Sequence, residues 1–146
     1  MSVFKITTIW TSKNEFTYEQ YNRNHQIIFS GPQTLLNSAA PEYFGNEDMA
    51  NPEELLAAAV SSCHMLTFLA VCSKTGFKVT HYEDDAVAIL DKNDEGKMAV
   101  TQINLHPKIQ FDGTTPDETK LRDLHHKAHR NCFIAQSIKS KVEVVV

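Results

Sequence analysis

Three cysteines supply the most reactive side chains of this 146-residue chain, Cys63, Cys72 and Cys132, and their surroundings differ. Cys63 sits in Ser61-Ser62-Cys63-His64, a polar cluster inside a run from Leu55 to Ser73 that holds no Asp, Glu, Lys or Arg. Polar side chains in an apolar segment cost free energy unless they are partnered. The cluster therefore reads either as a site or as core hydroxyls bonded back to a helix backbone. A reactive thiol in mid-helix gains nothing from a helix N-terminus, so Cys63 would need a cation from elsewhere in the fold. Cys132 follows Asn131 where a short helix begins, a position whose free N–H groups favour a thiolate, and Lys127, His129 and Arg130 lie just upstream. It is a candidate redox partner for Cys63 or an ordinary loop-end cysteine. Cys72, among Leu69, Ala70 and Val71, reads as a small buried hydrophobe. On one helix, nine residues put Cys63 and Cys72 half a turn out of phase and about 13.5 Å apart along the axis. A disulfide needs Cα atoms within about 7 Å, so these two cannot bridge while the helix stands. His125, His129 and Cys132 fall at ligand-like intervals, but no fourth ligand has sensible spacing for a metal site.

The composition bounds what such chemistry can serve. With 14 Lys plus Arg against 18 Asp plus Glu the net charge is −4, and 42% of the residues are hydrophobic. This is the profile of one ordinary domain spanning 1–146, large enough to hold a core without a disulfide or metal staple. The acidic balance leaves no basic footprint for nucleic acid. The start of the chain, MSVFKITTIWTSK, alternates polar and apolar residues and does not form a charged cap followed by an apolar run, so no secretory signal is read there. An odd number of cysteines with no export signal points to cytoplasmic thiols rather than a disulfide framework.

The elements that must position these residues follow from periodicity and turn chemistry. Strands are expected over Val3 to Trp10, Phe16 to Tyr21 and His25 to Ser30, with a turn at Thr11-Ser12-Lys13-Asn14 and a loop from Gly31 to Ala50. Asn51-Pro52-Glu53-Glu54 is a helix start, with Asn at the cap and Pro in the first helical position. The helix should run to about Thr75 and end at Gly76. Being apolar on every side, it reads as buried all round, wrapped by sheet and by a second subunit, in preference to a membrane span. Further strands are expected over Phe77 to Tyr82, Asp85 to Asp91 and Met98 to Phe111, the last broken at Pro107 and paired with its predecessor as a hairpin. Thr115-Pro116-Asp117-Glu118 opens an amphipathic helix as a capping box. A short helix from Cys132 to Ile138 and a strand from Lys141 to Val146 complete an α+β order with meander-type sheets.

Asn-Pro-Glu-Glu-Leu-Leu-Ala-Ala-Ala-Val-Ser-Ser-Cys (51 to 63), with Cys132 and the apolar final strand far downstream, resembles the osmotically inducible protein and organic hydroperoxide resistance family, OsmC/Ohr. The resemblance implies antiparallel sheets around a long central helix, an intertwined homodimer, and a peroxidase that reduces organic hydroperoxides with no bound cofactor or metal. It implies that Cys63 is the peroxidatic and Cys132 the resolving cysteine, with an external dithiol, lipoyl among the possibilities, as reductant. A sulfenic acid trapped by a nearby thiol is the reversible rung of cysteine oxidation. The family site also uses an arginine that stabilises the thiolate and a glutamate that orients it, which the resemblance places at Arg23 and Glu53. Glu53 and Cys63 are roughly 15 Å apart along one helix, so the site is expected to be completed across the dimer, with the glutamate or the arginine coming from the partner chain. His25 and His64 are candidate pocket residues. Many relatives carry proline after the resolving cysteine where this chain has Phe133, and Phe16 to His25 is longer than a short glycine-rich arginine loop. A sensing member of the same fold that binds a small apolar ligand without turnover is the alternative.

Overall fold

The computed structural model describes residues 1–13 and 15–146, so Asn14, the end of the expected first turn, lies outside the described residues. The chain forms two compact units, Met1–Leu55 and Leu56–Val146.

In the first unit, β1 (Ile6–Ile9), β2 (His25–Phe29) and β3 (Thr34–Asn37) make an antiparallel meander in that order. The strand expected over Phe16 to Tyr21 does not form: the segment carries a turn in which the Gln20 and Tyr21 N–H groups donate to the Thr17 carbonyl. Its aromatic side chains gather on one another, so their packing value is realised without a ladder. The expected loop from Gly31 to Ala50 in fact contains β3 and a 3-10 turn at Pro41–Tyr43. Thr34–Asn37 is too short to show an alternation, and its pairing with β2 decides its conformation.

Helix α1 (Pro52–Thr75) starts where its capping chemistry demands. The Asn51 carboxamide accepts from the Glu54 N–H, and the Glu54 carboxylate accepts from the Asn51 N–H. It ends at Gly76, whose φ of +82° lies in the left-handed region open to glycine. The first turn of α1 belongs to the first unit and the rest to the second.

The second unit pairs β4 (Lys78–Asp84) with β7 (Pro107–Asp112), and orders β5 (Val87–Lys92), β6 (Met98–Leu105) and β8 (Lys141–Val144) in a second sheet. The β5–β6 hairpin is antiparallel as expected, whereas β8 joins β6 in parallel. Helix α2 (Glu118–Asn131) is capped by Asp117, whose carboxylate accepts from the Lys120 N–H, so the box begins two residues later than Thr115. Helix α3 (Phe133–Ser137) follows directly, with Cys132 as its cap.

Within one chain, helix α1 is buried along one stripe. Ala57, Val60, His64, Phe68 and Cys72 form its buried stripe, while Leu66 on another face is 60% exposed. Spacing of three and four residues is one side of an α-helix, and one chain supplies packing only for that side. The N-terminal part of the stripe packs with Ile103 and Leu105 of β6, and the C-terminal part with Leu124 and Ala128 of α2. Although α1 is long and apolar enough to cross a membrane, its stripe is used as a core.

Candidate active site

Cys63 and Cys132 come together although 69 positions separate them in the chain. Burial on β6 fixes the first half of α1, burial on α2 fixes the second, and α2 delivers Cys132 at its end. All three cysteines are free thiols. Cys132 is fully buried and its S–H is hydrogen-bonded to Cys63. Burial first, then that hydrogen bond, pushes the Cys132 thiol up. The Ala135 N–H donates to Cys132 Sγ at 3.4 Å and acts in the opposite direction, but it is outweighed. The expectation that the helix start favours a thiolate at Cys132 is therefore overturned, since burial outweighs the helix-start N–H groups. Cys63 is half-buried and lines a cavity of about 750 Å³ with Ser62, Leu66, Thr67, Phe133 and Ile134. This wall is mainly apolar, and the Thr67 hydroxyl is spent on the Cys63 carbonyl at 2.8 Å. Phe133 is 81% exposed beside the cavity, so its side chain stands free of the core where a proline would have stiffened the backbone.

Cys72 is buried and its thiol is pushed up to about 11 by desolvation, as an inert core cysteine should be. His64 is not a lining residue of the Cys63 cavity. It points into the core, where its Nε2 lies 3.0 Å from Nδ1 of His125 on α2. Ser61, also of the cluster, donates to Asp84 of β4, which accepts as well from the His106 N–H at 2.7 Å. Neither arrangement is readable from sequence, because the partners come from β4 and α2. The histidine interval on α2 was the only hint. Among the described residues no group of three or more His, Cys, Asp or Glu side chains could hold a metal ion, so His125, His129 and Cys132 do not form a metal site.

Arg23 and Glu53 belong to the first unit. The Arg23 guanidinium sits 3.8 Å from the Tyr21 ring centroid, 5.1 Å from Phe44 and 5.5 Å from Tyr18. It donates to the Tyr21 carbonyl at 3.0 Å and to the Tyr18 carbonyl at 2.6 Å. A cavity of about 640 Å³ in this unit is lined by Arg23, Trp10, Phe16, Tyr43 and His25, which places His25 as a pocket residue there. The His25 ring also bonds the Asn37 carboxamide and the Arg23 carbonyl. Glu53 is half-buried in the first turn of α1, and within the first unit the described residues show no ion pair between it and Arg23. The aromatic setting of Arg23 is not legible in the sequence, where Phe16 to Tyr21 has the pattern of a strand.

A family model described as OsmC-like protein matches residues 45–146. Over 99 residues, 68% of this chain and 67% of the relative, the sequence is 30% identical to the peroxiredoxin OsmC of Escherichia coli K12. The fold is similar to that of a solved OsmC-like protein of unknown function from Vibrio cholerae, with a TM-score of 0.93, 39% identity and 99% of each chain covered. It is also similar to an organic hydroperoxide resistance protein from Elizabethkingia anophelis, with a TM-score of 0.74 at 22% identity, covering 99% of this chain and 93% of that one.

Proposed function

The chain belongs to the OsmC-like family, and from that premise we propose that it is a cysteine-based peroxidase of organic hydroperoxides in which Cys63 is peroxidatic and Cys132 resolving. The observation that carries the reading is the hydrogen-bonded pair of free thiols, one of them opening onto a mainly apolar cavity. The E. coli relative, a peroxiredoxin, supports the same class of activity.

The proton held by Cys132 decides the order of events. Cys63 is the accessible sulfur and accepts the hydrogen bond from Cys132, so it is the one that attacks, its own thiol proton passing to solvent. Its sulfur takes the terminal oxygen of ROOH, the O–O bond breaks, and the leaving alkoxide takes a proton from solvent, equivalent to the one Cys63 lost, to become ROH. Cys63 is then a sulfenic acid. Cys132 sulfur bonds to Cys63 sulfur, the S–O bond breaks, and the hydroxide leaves with the Cys132 proton as water. An external dithiol, a lipoyl group being one such, reduces the disulfide and is itself oxidised. The apolar wall favours ROOH with a carbon substituent over hydrogen peroxide.

In this reading Arg23 and Glu53 complete the site from the partner chain of a cytoplasmic homodimer, the arginine stabilising the Cys63 thiolate and the glutamate orienting it. Within the first unit the guanidinium is held by two carbonyls and three aromatic rings and carries its charge unneutralised by Glu53, a state in which it can serve an anion elsewhere. The test is consumption of an organic hydroperoxide with a dithiol present. Wild type should turn over and Cys63→Ser should fall to the background rate. Equal rates would overturn the proposal and leave an apolar-ligand sensor as the better reading.

A further inference from the structure

The proposed chemistry leaves unused the most deeply buried polar contact of the second unit. His64 is the residue after Cys63 on α1, and His125 stands on α2 two turns before Cys132. The two rings are 1% and 2% exposed, nearly parallel at 8°, and joined by the 3.0 Å contact, with His125 also stacked on Phe68 at 4.3 Å. Two leucines here would bury without desolvation cost, whereas the imidazoles bury polar atoms, one of which, His64 Nδ1, has no partner. That orphan fixes the direction of the bond. If His125 donated from Nδ1, the single ring proton of His64 would lie on Nδ1, buried with no acceptor. The favoured arrangement has His64 Nε2–H donating to His125 Nδ1, leaving only a bare lone pair on His64 Nδ1. A bond of this kind sets both distance and rotation between two helices, while apolar contact alone lets them slide.

We propose that the His64–His125 hydrogen bond is a positioning device for the redox step, holding α1 and α2 in the one register at which Cys132 closes onto Cys63. The inference rests on the redox reading of the two cysteines. Thiols already in hydrogen-bond contact need only a small approach to reach the S–S length of about 2.05 Å, so the register of their helices governs how readily the bond forms. Burial, more than any neighbour, keeps the histidine pair neutral at neutral pH. The charged and titratable groups around it are Asp84 on β4 and His129 on α2, with Arg122, His126 and Glu143 lining a cavity beside His125. Burial and His129 oppose a proton on His64 and outweigh Asp84, which favours it.

The full chain is equilibrated with mixtures of reduced and oxidised dithiothreitol, without peroxide, and the Cys63–Cys132 disulfide is counted by alkylation and intact mass. His64→Leu and His125→Leu should each lower the equilibrium constant for disulfide formation about tenfold, a rise in potential of about 30 mV. His64→Gln, which keeps a donor near the Nε2 position, and His125→Asn, which keeps an acceptor near the Nδ1 position, should stay within about threefold of wild type. If the leucine variants do not fold, His64→Asn replaces them with the same expectation, because its shorter amide cannot reach His125. Wild-type constants in the folded variants that break the bond, or equal losses in the bond-keeping variants, would overturn the proposal. Absence of any disulfide in wild type would instead overturn the redox reading, and this inference with it.

Discussion

Cys63, Cys72 and Cys132 share a side chain and differ by surroundings. Burial raises both Cys72 and Cys132, and Cys132 also donates to Cys63. Brief treatment of the native protein with iodoacetamide near neutral pH should therefore modify Cys63 first and leave Cys72 untouched, as peptide mass mapping would show; preferential labelling of Cys72 would contradict the burial argument. In the proposed cycle, Cys132→Ser leaves the first oxidation intact and removes the resolving thiol. Intact mass should show one added oxygen after one equivalent of hydroperoxide, advancing to two or three with excess. Normal turnover of that variant would show that Cys132 is not needed.

At the scale of elements, the contact of α1 with α2 carries the site. Phe68 is fully buried between Cys72, Leu124 and Ala128, and Phe68→Ala should cost about 3–5 kcal/mol in denaturant unfolding, through lost transfer energy and an unfilled cavity. A loss under 1 kcal/mol would mean that the helices re-pack freely. Removing the α2 cap by Asp117→Ala should cost about 1 kcal/mol, since one N–H of the first turn loses its acceptor. The buried histidines add a pH dependence of known sign. Burial lowers both from the ordinary 6.5 to about 4, so the unfolded chain binds more protons between those values. Their contribution is fully present above about pH 6.5, declines as pH falls toward 4, and changes little below. The denaturation midpoint should drop through this window, and the drop should shrink in a His64→Gln/His125→Asn double variant. An unchanged slope would assign it to carboxylates.

For the whole molecule, the surfaces that one chain leaves uncovered are the informative ones. Leu66 on α1, Ile6 on β1 and Leu36 on β3 are all more than half exposed. In each unit such exposed apolar side chains are what the proposed homodimer would cover. Sedimentation should give twice the mass of one chain, and Leu66→Glu should shift the population toward monomer. A wild-type monomer at micromolar concentration would remove the dimer, and with it the idea that Arg23 and Glu53 act across an interface.

By itself the sequence determined what depends on neighbours in the chain. The start of α1 at Asn51-Pro52 and its end at Gly76 are local hydrogen-bond and φ requirements, and so is the impossibility of a Cys63–Cys72 bridge. Cys63 was legible as a candidate because the spacing from Asn51 to Cys63 is a contiguous motif, whereas its contact with Cys132 depends on the packing of α1 with α2. Tertiary structure decided everything that needs a partner from another element. Thr34–Asn37 became a strand because β2 was there to pair with, and Phe16 to Tyr21 did not because its rings found one another. One chain covered only one side of a helix that is apolar on all sides. His64 turned from the Cys63 cavity into the core because His125 offered a hydrogen-bond partner there, and the Cys132 thiol was pushed up because burial outweighed the helix-start N–H groups. Caps and breaks cost energy within a few residues of where they are written, whereas desolvation and long-range hydrogen bonds are set by residues dozens of positions away.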